Sequence, residues 1–299
     1  MKILKERIYP LTHLNCTTDL NCQYCINIPQ SPAIQELKSY VFQTLNYVSQ
    51  YNDEFQDILE NDPNNIPHLT HPLIQFASQS QLDKRTDQQE QHNQQKSESS
   101  SSFPLFTQSL DLLERLINYK NNIYKFVINT PNALHSLFTL TSYKINIHIS
   151  QEIDKQTFKV RDSSRWCLWY IQVFGDLSAH SELINARYVG VLVIAISTAS
   201  GSGEEYDNEI YWRLDNISEF IKCLNNGRNN YEPSFPPQLL LARRSVEQIE
   251  EEGGNEEIDS QIINKGIGGN IKDEANEAKG RILNYFVEKS NQRPDWYNW

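Results

Sequence analysis

Nine consecutive residues, Trp166-Cys167-Leu168-Trp169-Tyr170-Ile171-Gln172-Val173-Phe174, contain one polar side chain. Alternation places Trp169, Ile171 and Val173 on one face and Trp166, Leu168 and Tyr170 on the other, the pattern of a strand covered on both sides. Two more strands follow from the same logic. Tyr143, Ile145, Ile147 and Ile149 alternate with Lys144, Asn146 and His148, giving one wet face. Tyr188 to Thr198 is apolar almost throughout. Helical spacing occurs in three places. Ser31-Pro32 starts a helix, a capping hydroxyl followed by proline at the first helical position, and Ile34, Leu37, Val41, Leu45 and Val48 carry it to about Asn52. A second helix begins near Thr107 or Ser109 with Leu110, Leu113, Leu116 and Ile117 on one side. A third carries Ile210, Leu214, Ile217, Ile221 and Leu224, stops at Asn226-Gly227 and exits through Tyr231-Glu232-Pro233-Ser234-Phe235-Pro236-Pro237. The order predicts an α+β domain, an antiparallel sheet packed with three main helices.

Two polar stretches stand outside this pattern. Gln79 to Ser102 is Gln, Asn, Ser and acid with a single leucine and reads as a disordered insertion. Glu247 to Glu277 is acidic and rich in Gly and Asn, and reads as a flexible segment. The predicted organisation is a domain over 1–245, then an acidic flexible segment and a short helical, aromatic tail over 246–299, ending in Trp296, Tyr297 and Trp299. A formal charge of −11 argues against a nucleic-acid footprint, which needs a basic face. No apolar run approaches the ~20 residues of a membrane span and no signal-peptide core follows Met1, so a cytoplasmic chain is expected. Five scattered cysteines fit reduced thiols.

Candidate chemistry is sparse. His13, Cys16, Cys22 and Cys25 place four soft ligands within thirteen residues, but only five residues separate Cys16 from Cys22, shorter than the usual loop between zinc-ligand pairs. The expected metal set is therefore none, with a small zinc module on those four residues kept as an alternative. Ala199-Ser200-Gly201-Ser202-Gly203 lacks the Lys-Ser/Thr of a phosphate loop, and Glu204-Glu205 would repel phosphate. No HExxH and no GxSxG occurs. No catalytic residue and no cofactor is expected, and an interaction protein is the leading class.

Trp-x-x-Trp-x-Ile-x-Val at Trp166, Trp169, Ile171 and Val173, with the Tyr231-x-Pro233-x-x-Pro236 exit after a long helix, is similar to the corresponding segments of the autophagy-related protein 101 family. The resemblance implies a HORMA-like fold and a non-enzymatic scaffold at the phagophore assembly site. Its partners would be the HORMA domain of autophagy-related protein 13 and the autophagy-initiating kinase complex. The family's aromatic finger would correspond to Phe158 and Val160. A peptide-clasping HORMA adaptor of the spindle-checkpoint or translesion-polymerase type is the alternative within that fold.

Overall fold

The computed structural model describes residues 2–16, 22–29, 31–52, 58, 65–86, 102–119, 122–145, 147, 149–199, 207–229, 233–263 and 270–283. Among them no β-strand is present, only the isolated bridges Leu14 to Ile26 and Arg228 to Phe235. The described residues are all-α, which overturns the expected α+β fold with its antiparallel sheet and HORMA-like topology.

A π-helical turn (Leu4–Ile8) and a 3-10 turn (Tyr9–His13) precede twelve helices among the described residues: α1 Pro32–Ser49, α2 Asn65–Thr86, α3 Ser102–Tyr119, α4 Ile123–Asn129, α5 Ala133–Leu140, α6 Gln151–Phe174, α7 Leu177–Asn185, α8 Tyr188–Ala199, α9 Asp207–Asn226, α10 Leu239–Glu251, α11 Gly254–Ile262 and α12 Asn270–Ile282. Two compact units result. The first comprises Met1–Tyr143 with Lys155–Ile171, the second Lys144–Asp154 with Gln172–Trp299.

Each expected strand is a helix or a turn for an identifiable reason. In α6, Val160, Ser164, Cys167, Leu168 and Ile171 recur at helical steps and are all buried, while Val173 is 36 % exposed. The nine-residue apolar run fits either period, and the polar residues before it decide for the helix. The Tyr188 segment is apolar on every side because it is an interior helix, with Tyr188, Val189, Leu192, Val193 and Ile196 buried. Ile147 and Ile149 lie past the turn that ends α5 and are exposed. The stretch expected to be flexible from Glu247 holds the end of α10, all of α11 and much of α12. Of the Gln79–Ser102 insertion, residues 79–86 continue α2; the remainder up to residue 101 lies outside the described residues.

In the first unit, α3 packs on α1 and α2, and α2 on α5. The expected face of α3 is buried as read: Leu110, Leu113, Leu116 and Ile117. The face of α1 is rotated from the expected one. Val41, Phe42, Leu45 and Ser49 are inside, and Leu37 is 40 % exposed.

From α4 onward the chain repeats one supersecondary unit three times: two short helices joined tightly, then a third. The joints are Asn132, Arg187 and Gly253, all with left-handed backbone (φ 64°, 65° and 69°). At matching steps past each joint sit the buried sets Ala133, Leu137, Leu140; Tyr188, Leu192, Ala195; and Gly254, Ile258, Gln261. The third helices carry one register, i, i+4, i+7, i+11, as Val160, Ser164, Cys167, Ile171; Ile210, Leu214, Ile217, Ile221; and Ile271, Ala275, Ala278, Ile282. In the second unit the last two triplets stack like on like, α7 against α10, α8 against α11 and α9 against α12. That is the nearest-neighbour arrangement of an α-solenoid.

Arg228 closes the second unit locally. Gly227 ends α9 at φ +75°, where a Cβ would meet the Phe235 carbonyl at 2.7 Å. Arg228 and Phe235 then exchange backbone hydrogen bonds of 2.8 and 3.0 Å. The Arg228 guanidinium donates to the carbonyls of Val173 (2.8 Å), Gly175 and Pro233 (2.8 Å), so a cation sits on the carbonyl end of α6.

Candidate metal centre

The N-terminal segment is short of apolar residues and is shaped by hydrogen bonds. Asn15 N–H donates to the Ile26 carbonyl at 3.0 Å, and Ile26 N–H to the His13 carbonyl at 2.9 Å. Asn15, at φ 45°, lends its side-chain oxygen to Ile28 N–H (2.8 Å). The left-handed turn at Asn15 is a conformation asparagine tolerates better than most residues. This clamp lays residues 13–16 against 25–28, and a turn from the Cys25 N–H to the Cys22 carbonyl (3.3 Å) swings Cys22 toward His13.

Helix α2 contributes the fourth group. His68 lies 55 residues beyond His13, yet its Nε2 is 3.0 Å from His13 Nδ1. His13 Nδ1 is 3.2 Å from Cys22 Sγ, and Cys16 Sγ is 3.9 Å from His68 Nε2. The donor atoms of His13, Cys16, Cys22 and His68 all fall within 4.8 Å of one another. Both imidazoles are buried and both thiols half-buried. Zinc bonds of about 2.0–2.1 Å to nitrogen and about 2.3 Å to sulfur place the donors of a tetrahedral site roughly 3.3–3.8 Å apart. The cluster is within a few tenths of an ångström of that figure at each of these three edges.

Burial governs the charge state of the bare cluster. Burial, followed by the neighbouring Cys25 and Cys22, pushes the Cys16 thiol up to about 12. Lys38 of α1, which donates to the Leu14 carbonyl at 3.0 Å, is lowered by burial and partly restored by the three cysteines facing it. A divalent ion reverses the first effect, since it binds the thiolate and expels the proton.

Of the four ligands weighed in the sequence, three are in the cluster and Cys25 is not. The Cys25 thiol donates to Asn27 Oδ1 (3.2 Å) and accepts the Cys16 N–H (3.2 Å), a supporting position beside a ligand. His68 had no local signal: nothing in the spacing around it points to residues so far upstream.

The remaining sequence-derived residues go elsewhere. Phe158 and Val160 are on α6 rather than on a loop; Val160 is buried and Phe158 is half-buried, 5.9 Å below the Arg161 guanidinium. Trp166, Trp169 and Tyr170 form an aromatic set along α6, with ring centroids 5.0–6.0 Å apart. Ile171 is core and Val173 faces outward. Pro233 accepts from Arg228, and Tyr231 lies outside the described residues. Among the described residues no single helix is long and apolar enough to cross a membrane. Comparison with known protein families, with curated proteins and with solved structures finds no match to this chain.

Proposed function

We propose that this protein is a non-enzymatic helical-repeat scaffold whose N-terminal segment is clipped to helix α2 by a structural transition-metal ion, zinc by donor chemistry, held by His13, Cys16, Cys22 and His68. The observation that carries the reading is the convergence of four soft donors within 4.8 Å from two segments far apart in sequence. Two neutral imidazoles and two thiolates neutralise a divalent ion and fill a tetrahedral shell. No position is left for substrate, which favours structure over catalysis. The tripled helix register supports the scaffold part, because stacked repeats build extended surfaces for partners without any catalytic group. A HORMA partnership with autophagy-related protein 13 was expected in part from Trp166, Trp169, Ile171 and Val173, which lie in helix α6, and the antiparallel sheet it called for is absent among the described residues.

Elemental analysis of the full chain, purified without chelator from zinc-supplemented medium, tests the metal. One equivalent of zinc is expected, lost from Cys22→Ser and His68→Ala and kept by Cys25→Ser. Wild-type protein free of zinc, or ligand variants that keep a full equivalent, would refute the reading.

A further inference from the structure

Helix α1 carries a face that its own unit does not cover. Val41, Phe42, Leu45 and Ser49 are buried where α1 packs on α3. On the other side Leu37, Tyr40, Thr44, Tyr47 and Tyr51 stand in solvent, the three tyrosines 58, 65 and 75 % exposed. Tyr51 belongs to the turn that closes the helix. Its N–H donates to the Val48 carbonyl at 3.1 Å, and its ring stands edge-on to Tyr47, with centroids 5.4 Å apart.

The outward side of a surface helix is normally charged or polar. This one is aromatic, and steps of 3, 4, 3 and 4 residues separate its five positions. That is the alternation of a coiled-coil seam, and what fits a seam is another helix. The exposed flanking positions Gln43 and Gln50 are uncharged, and Glu36 lies at the end of the strip. A tyrosine side chain offers about 200 Å², so at these exposures the three leave roughly 400 Å² in water, and Leu37, Thr44 and the glutamines widen the strip to roughly 500 Å². Two such strips hide roughly 1,000 Å² in total, the lower bound of a specific interface.

We propose that this strip joins two copies of the chain, with their α1 helices antiparallel. Flanking charges set partner choice between unlike helices, and the middle of the strip has none. A two-fold contact needs only a surface complementary to itself. With a charge of −11 two copies repel at long range, so an uncharged strip is where close approach costs least. Thr44 decides the direction. A parallel pair sets Thr44 against its own counterpart between two layers of paired tyrosines and leaves a gap. An antiparallel pair sets Thr44 against the second copy's Tyr47, and Tyr40 against the second copy's Tyr51, small beside large. The area makes the dimer reversible rather than obligate. This inference does not rest on the metal clip, which elemental analysis reads separately.

Sedimentation velocity of the full zinc-loaded chain, over a hundredfold range of concentration reaching about 200 μM, reads the association. Far-UV circular dichroism and the urea midpoint confirm that each variant is folded. The wild type should pass from monomer to dimer within that range. Tyr40→Glu combined with Tyr47→Glu should weaken the dimer at least thirtyfold. Thr44→Glu alone should weaken it at least tenfold, although glutamate favours a helix more than threonine does. Adding Tyr47→Arg to Thr44→Glu brings opposite charges face to face in the antiparallel pair and should recover at least fivefold of that loss. Leu240→Glu with Ile263→Glu, at positions 79 and 84 % exposed in the second unit, should leave the dimer unchanged. The inference is overturned if the wild type stays monomeric or grows beyond a dimer, if the α1 variants associate like the wild type, if the control pair weakens association as much, or if Tyr47→Arg recovers nothing.

Discussion

Gly254 is where the stacking of consecutive triplets can be put to a quantitative test. An added Cβ would stand 2.6 Å from Ile249 Cγ2, 2.7 Å from Val193 Cγ2 and 2.9 Å from the Ile249 carbonyl oxygen. In an ordinary helix, replacing glycine by alanine stabilises by roughly 1 kcal/mol. Here the opposing effect is larger. A backbone oxygen cannot rotate away, and both methyl groups sit in a filled core, so α8 and α11 must separate. Overpacking of this kind costs about 1–3 kcal/mol. Gly254→Ala is therefore expected to lose up to roughly 2 kcal/mol net, a shift of the urea midpoint of up to roughly 1 M at a slope of about 2 kcal/mol per M. The second variant makes the reasoning specific. Val193→Ala alone leaves a small cavity and destabilises, but in the Gly254→Ala background it removes one of the three clashes. A coupling of at least ~0.5–1 kcal/mol is thus expected between the two sites. Urea denaturation of the four proteins, followed by circular dichroism, measures it. A more stable Gly254→Ala, or strict additivity with Val193→Ala, would refute the stacking of α8 on α11.

The second unit should respond to pH in two opposite ways. His180, stacked on Phe220 and drawn down to about 4 chiefly by burial, stays neutral when folded while the unfolded chain protonates near 6.5. Its contribution is complete above pH 6.5 and is lost as pH falls toward 4, at about 1.4 kcal/mol per pH unit. Glu274 runs the other way: burial and then Asp215 raise it to about 7, so a penalty grows as pH rises from 4.5 through 7, with Tyr211, Glu277 and Asp273 also facing it. Glu274→Gln should raise the thermal midpoint at pH 8 and leave it unchanged at pH 4; an equal effect at both, read by calorimetry, would show that Glu274 is not the titrating group. Arg228→Ala removes the donor to four carbonyls, those of Gln172, Val173, Gly175 and Pro233, and should cost about 2–3 kcal/mol by chemical denaturation. A loss below about 0.5 kcal/mol would mean that water replaces the guanidinium.

The sequence was legible where polar residues broke the apolar pattern often enough to reveal its period. α3 and α9 were read with their buried faces, down to the Gly227 stop. The apolar runs of α6 and α8 carried no such marker. Their β-branched and aromatic residues pointed to strands, and the burial of Cys167, Leu168 and Ile171 in α6 and of Val189, Leu192, Val193 and Ile196 in α8, at helical steps, overrode that propensity. The repeat was hidden for a related reason: its register keeps only the property of being buried, so Ser164, Leu214 and Ala275 occupy equivalent places with different side chains. For the His/Cys cluster, a local ligand count singled out His13, Cys16 and Cys22 together with Cys25, while the expected metal set was none. His68 needed the packing of α2 and could not be reached by spacing at all.

The three left-handed joints also divide the chain into places where its length can and cannot change. A residue added at Asn132, Arg187 or Gly253 would turn the following helix by about 100° and expose its core residues. The connection between second and third helices does change length, from ten residues in the first copy (141–150) to seven in the other two (200–206 and 263–269). Growth of the protein, whether by natural insertion or by a grafted reporter, is therefore directed to those connections, with the joints acting as fixed rulers between them.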